Sequence, residues 1–200
     1  MKHYLLPLAL TLSACGATDD GRPNVVLDTE LGEIEIEVHL DTAPISGADF
    51  LMHVDKGLYV DQGFYRVVRA DNDPRGMGMS LIQGGILSQE FDTPLIAHEL
   101  TTDTGLSNTR GVISIARDAP GTGSAGYFFI NIGDNSFLDT GGDRNPDGAG
   151  YATFGTIIRG MDVVENIHSK DASGDSPSPV TDNQYLTQPV KIVRAYRVEN

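Results

Sequence analysis

The sequence predicts a mainly β protein, a closed antiparallel barrel of eight strands capped by two α-helices. Three observations predict it. Short runs rich in Val, Ile, Phe and Tyr recur along the chain, separated by Gly, Pro, Asn and Asp, which is the rhythm of strands joined by irregular turns. The first pair alternates apolar and polar residues, as a half-buried hairpin does. Only two segments carry helical spacing, so the sheet has to close largely on itself to bury its apolar face.

The hairpin comes first, Val25 to Thr29, then the turn Glu30-Leu31-Gly32, then Glu33 to Leu40, where charged and aliphatic residues strictly alternate. Pro44 suits the first turn of a helix, and Phe50, Leu51 and Val54 recur at helical spacing before Gly57 ends it. Strand-like runs follow at 64–68, 80–84, 111–116, 127–132, 153–158 and 190–198. A second helix is expected over Met161 to His168, and the polar stretch 169–189 reads as a surface loop before the last strand. Within 127–132, alternation puts Tyr127, Phe129 and Asn131 on one face and Phe128, Ile130 and Ile132 on the other.

Ahead of the domain, Met1-Lys2-His3 is a basic start and Tyr4 to Leu12 is nearly all apolar. That run is too short to span a bilayer and has the length of a signal-peptide core. Leu12-Ser13-Ala14-Cys15 resembles the bacterial lipobox, in which the chain is cut before a lipidated cysteine. The expected organisation is a leader over 1–14, a lipidated tether over 15–23 and one folded domain over 24–200. Cys15 is the one cysteine, so no intramolecular disulfide can form. The expected location is the bacterial cell envelope, anchored through Cys15 with the domain in the periplasm.

A net charge of -14 with scattered Lys and Arg argues against nucleic acid as a partner. With no evident apolar interface, a monomer is expected. Gly121-Thr122-Gly123-Ser124-Ala125-Gly126 fits a dinucleotide-binding fingerprint, but strand-like residues follow where that motif must open a helix. Asp143, Asn145, Asp147 and Gly148 match half a calcium loop, with Phe154 where the bidentate Glu belongs, and turn chemistry accounts for the same residues. The five histidines show no paired metal spacing, and no nucleophile elbow occurs. Neither a metal nor any other cofactor is expected.

Three blocks resemble the cyclophilin family of peptidyl-prolyl cis/trans isomerases, in family order from about Val25 to Val198. Phe64-Tyr65-Arg66-Val67-Val68 precedes Ile82-Gln83-Gly84-Gly85. Gly111 to Arg117 precedes Phe128-Phe129-Ile130-Asn131, in the form of bacterial members. Asn135-Ser136-Phe137-Leu138-Asp139 precedes Tyr151-Ala152-Thr153-Phe154-Gly155. The resemblance implies catalysis by Arg66, a proline pocket of Leu81, Phe129 and Leu138, and Gln83 holding the peptide backbone. It also implies a groove lined by Ala116 and Arg117, with Tyr151 at the position of a family His or Tyr. Phe137 stands where cyclosporin-sensitive members carry Trp, so weak cyclosporin binding is expected. Tyr127 replaces a Gln that bonds substrate backbone.

The implied reaction suits these residues. Rotation about an X-Pro bond must cross ~18–20 kcal/mol because amide resonance is lost. No bond breaks, so the site needs a dry pocket and a fixed donor that favours the twisted amide, which a guanidinium supplies. Ser80-Leu81 stands where the family has Phe-Met or Phe-Leu, removing an aromatic ring from one expected pocket wall, and Met77 and Met79 in the long 69–79 turn are candidates to replace it. A further insertion spans Thr140 to Gly150. Three readings follow: an isomerase acting on proline-containing peptides and unfolded exported proteins, a binding or chaperone module with little turnover, or a calcium-dependent envelope protein built on the same fold.

Overall fold

The computed structural model describes residues 22–87 and 93–198. The expected leader, Cys15 and most of the expected 15–23 tether lie outside the described residues. Eight strands form a closed barrel: β1 (Asn24–Thr29), β2 (Gly32–Val38), β3 (Gly63–Val68), β4 (Leu81–Gly85), β5 (Val112–Ile115), β6 (Tyr127–Asn131), β7 (Thr153–Arg159) and β8 (Tyr185–Arg197). Around the barrel they run β1-β2-β7-β5-β6-β4-β3-β8, each pair antiparallel. Two differences from expectation have local causes. The last strand starts at Tyr185 rather than 190, inside the stretch read as loop. Thr187, Gln188 and Pro189 break the strand pattern, and the register with β3 shifts between the Val190 and Tyr185 pairings. A one-turn helix, α2 (Thr101–Thr104), is too short to leave a periodic signal.

The barrel interior is the core. Phe50, Tyr59, Phe64, Phe128 and Phe154 are fully buried there, with ring centroids 5.0–5.9 Å apart. Helix α1 (Pro44–Asp55) sends Phe50 into this cluster, and α3 (Met161–His168) sends in Val164 and Ile167, so both helices close the barrel with apolar side chains. The α1 N-terminus has no side-chain cap of its own. Glu99 serves instead, its carboxylate accepting from Ile45 N at 3.0 Å and Ser46 N at 2.7 Å.

Helix α3 ends on a titratable contact. His168 Nε2 donates to the Val68 carbonyl at 2.8 Å, and burial holds the imidazole below its ordinary value of 6.5. A depressed histidine binds its proton more readily in the unfolded chain, so its contribution is present above 6.5 and lost as pH falls towards the folded-state value. The urea midpoint of the wild-type chain is therefore expected to fall between pH 7.5 and 5.5, and to fall less in His168→Gln. Equal slopes in the two proteins would remove this contact from the account.

Candidate active site

The site forms on the outer face of the barrel wall, and strand register builds it. Arg66 on β3 lies opposite Gln83 on β4, Gln83 opposite Phe129 on β6, and Phe129 opposite Ser114 on β5. One row across four strands thus carries a cation, an amide and an aromatic ring. A bulge between Phe64 and Arg66 lets Phe64 and Val67 enter the core while Arg66 and Tyr65 both meet Gln83. The alternation read within 127–132 is what the sheet uses: Phe128 and Ile130 fill the core, whereas Phe129 joins a second cluster with Val68, Met79, Leu81 and Leu138.

That second cluster floors a cavity of about 360 Å³. Of the residues named from sequence, Arg66, Leu81, Gln83, Ala116, Arg117, Tyr127, Phe129, Leu138 and Tyr151 line it. Phe137 packs against the cluster without lining the cavity, because the 3₁₀ turn Ser136–Leu138 presents Leu138 instead. Ser80 also departs from expectation. Its hydroxyl faces His168 Nε2 at 3.5 Å, so its small size takes nothing from the cavity wall. Met79 lines the cavity and Met77 does not. Asp73 sets this turn, its Oδ2 accepting from Met77 N at 2.9 Å and Met79 N at 3.3 Å.

Arg66 is held rigidly. Its Nε and Nη2 donate to Gln184 Oε1 at 2.9 and 2.6 Å, and its Nη1 donates to Gln83 Oε1 at 2.7 Å. Gln184 is fully buried and anchored in turn through Nε2 to the Asn72 carbonyl at 2.7 Å. Gln83 Nε2 donates to the Tyr65 hydroxyl at 2.8 Å, which fixes the amide so that its oxygen faces the guanidinium. Burial pulls Arg66 below the ordinary arginine value, yet a guanidinium remains charged at any working pH. Three of its five N–H groups are engaged, which leaves two for a ligand.

The far wall is built by the 140–150 insertion. Arg117 donates from Nη1 and Nη2 to the two carboxylate oxygens of Asp147, both at 2.9 Å, and from Nε to the Gly150 carbonyl at 2.8 Å. Its carbon head lies 5.3 Å from the Tyr151 ring centroid, and Tyr151 meets Phe129 edge-on at 5.4 Å. Arg117 thereby holds the Asp147 carboxyl down at about 2. Asp147 also accepts from Ala149 N at 2.8 Å, the Asx-turn bond expected of this composition. Both its oxygens are committed, and among the described residues no group of His, Cys, Asp and Glu is arranged to hold a metal ion.

Sequence reasoning missed Gln184, Asp147 as a clamp and Arg144 in the cavity wall. It also missed the buried amides behind Leu138. Asn135 Nδ2 donates to Asn131 Oδ1 at 2.7 Å, and Asn108 Nδ2 donates to Asp139 Oδ1 at 2.8 Å, tying the 132–139 turn to β6 and to the segment before β5. Short polar residues in loops carry no signal of such partners.

Comparison with known proteins agrees with this fold. The family described as "Cyclophilin type peptidyl-prolyl cis-trans isomerase/CLD" matches residues 24–197. A peptidyl-prolyl cis-trans isomerase of Acinetobacter baylyi is 35% identical, over 84% of this chain and 82% of that protein. Peptidyl-prolyl cis-trans isomerase A of Dickeya dadantii is 33% identical, over 86% and 85%. A crystal structure of a cyclophilin type isomerase from Cryptosporidium parvum superposes with a TM-score of 0.67 at 18% identity, covering 90% of this chain and 99% of that one, which shows the fold. With the family match spanning all eight strands and two relatives above 30% identity over most of both chains, this chain belongs to the cyclophilin-type peptidyl-prolyl cis-trans isomerases.

Proposed function

We propose that the cavity isomerises X-Pro bonds with Arg66 as its catalytic residue, and that the substrates are proline-containing segments of unfolded exported proteins. The observation that carries the reading is the rigid guanidinium at the edge of an apolar floor. Met79, Leu81, Phe129 and Leu138 offer the proline ring a surface that excludes water. As the amide twists, resonance is lost and the nitrogen lone pair localises. A free Arg66 N–H facing that nitrogen bonds the twisted state more strongly than the planar one, which is the condition for acceleration. No bond breaks, so no nucleophile or proton acceptor is needed. Tyr65 and Gln184 act through Arg66 and Gln83 rather than on substrate.

A protease-coupled assay on short X-Pro peptides tests the reading, with acceleration by the purified chain expected at catalytic concentration. Absence of acceleration by well-folded protein would favour a binding module for proline-containing segments. Tyr127 supports that second reading, because it lines the cavity as an exposed phenol at the position where the family resemblance implies a backbone-holding Gln.

The export reading rests on Leu12 to Cys15 and the apolar run before it. Cys15 is proposed to carry the acyl anchor, with the domain held at the membrane surface by the 15–23 tether. Cys15→Ala is then expected to abolish incorporation of labelled palmitate and to move the protein from the membrane to the soluble fraction of lysed cells. Membrane retention of the unlabelled variant would overturn the anchor.

A further inference from the structure

The cavity contains an unbalanced charge. Among the described residues three arginines line it, Arg66, Arg117 and Arg144, against a single carboxylate, the exposed Asp118. Arg117 is neutralised by Asp147. Arg66 bonds only neutral amides. Arg144 makes no ion pair among the described residues, and its Nη1 is buried with no hydrogen-bond partner. Placing a charged N–H out of reach of solvent without an acceptor is costly, and a chain of net charge -14 has carboxylates to spare, yet among the described residues none pairs with Arg144.

The position of Arg144 is built rather than incidental. The insertion closes on itself through Gly141 N to the Gly148 carbonyl at 2.8 Å and Gly142 N to the Asp139 carbonyl at 2.9 Å. Gly142 and Gly150 sit so close to the backbone of Phe137 and Asp139 that a Cβ would fall within 2.4 Å of it. The Arg144 carbonyl accepts from Arg75 Nη1, so the 69–79 turn and the 140–150 insertion meet at this residue. Burial, and beyond it the Arg144 charge, lowers the proton affinity of Arg66, which places the two cations in one electrostatic environment.

We propose that Arg144 is a specificity residue that receives a carboxylate beside the scanned proline, so that the site favours peptides with Glu or Asp flanking the proline. A guanidinium and a carboxylate pair with matched geometry, and the pairing is strongest where water is excluded. The proposal rests on the isomerase reading of this cavity, and the experiment separates the two.

The exchange rates of peptides differing only as Glu-Pro, Gln-Pro and Lys-Pro, and as Pro-Glu, Pro-Gln and Pro-Lys, are measured by NMR with the full chain in mild detergent. In at least one of the two positions, kcat/KM is expected to be about fivefold or more higher for Glu than for Gln at low salt, with the ratio shrinking in 0.5 M salt. Arg144→Gln should bring that ratio close to one, Arg144→Lys should keep part of it, and Arg144→Glu should turn the preference to Lys. Turnover with a wild-type Glu-to-Gln ratio near one in both positions overturns the proposal and leaves the isomerase reading standing. With no turnover on any peptide, the ratio is read from Kd by chemical-shift titration. A preference for Glu there sustains the proposal while the isomerase reading falls, and equal Kd values overturn both.

Discussion

Replacing Arg66 by alanine is expected to lower kcat/KM for X-Pro isomerisation about 100-fold, ~2.7 kcal/mol of transition-state stabilisation, the loss typical of a fixed donor removed from developing charge. Most of the loss should fall on kcat, because the apolar floor that binds the ring is untouched. Arg66→Lys should recover little. An ammonium cannot donate to Gln184 and Gln83 from three nitrogens in one plane and still face a substrate. Gln184→Ala removes the acceptor of two of those bonds from a buried position, and it is expected to cost about tenfold in kcat with KM nearly unchanged. Far-ultraviolet circular dichroism and a urea titration on each variant separate this from unfolding. An Arg66→Ala enzyme that keeps wild-type kcat/KM would remove the guanidinium from the mechanism and leave the cavity to work by burial alone.

The contrast between Arg66 and Gln184 shows what a sequence exposes and what it hides. Arg66 sits within a strand pattern, where a charged residue among aliphatic ones demands an explanation, and its neighbours across the sheet follow once the strands are phased. Gln184 lies 118 positions away, in a stretch whose composition reads as loop, and nothing local points to a buried guanidinium partner. Glu99 capping α1 from more than fifty residues downstream is hidden for the same reason. Asp147 was visible as a member of an Asp/Asn/Gly loop, but composition cannot tell a calcium ligand from an Asx turn or from a clamp on Arg117. Ser80 misleads in another way. Its place beside Leu81 suggests a missing pocket wall, whereas in the segment entering β4 its side chain turns to His168 and Met79 reaches the cavity. Partners across the sheet could be inferred from period and order. Partners supplied by loops could not.

Adjacent residues of β6 give the sharpest test of that phasing. Phe128 is fully buried between Phe50, Tyr59 and Phe64, with centroids 5.6–5.9 Å away and each ring meeting it edge-on. Phe128→Ala empties the centre of a closed barrel whose strands cannot collapse inward without breaking their ladders. The expected loss is ~3–5 kcal/mol of stability, read as a lower urea midpoint. Phe129 points the other way. Its ring packs with Leu81, Leu138 and Tyr151 at the floor of the cavity and is 4% exposed. Phe129→Ala should nonetheless cost less stability, ~3 kcal/mol at the low end of the range for a buried ring, because its cluster is the smaller one and the wall of an open cavity can relax into the space left behind. Its effect on turnover should be the larger of the two once both proteins are compared well below their midpoints. A fall of about 30-fold or more in kcat/KM, carried mainly by KM, is expected, since the ring supplies the surface against which proline is desolvated. If Phe129→Ala proves the more destabilising and Phe128→Ala the more damaging to activity in folded protein, the strand is phased the opposite way and the cavity lies on the wrong face.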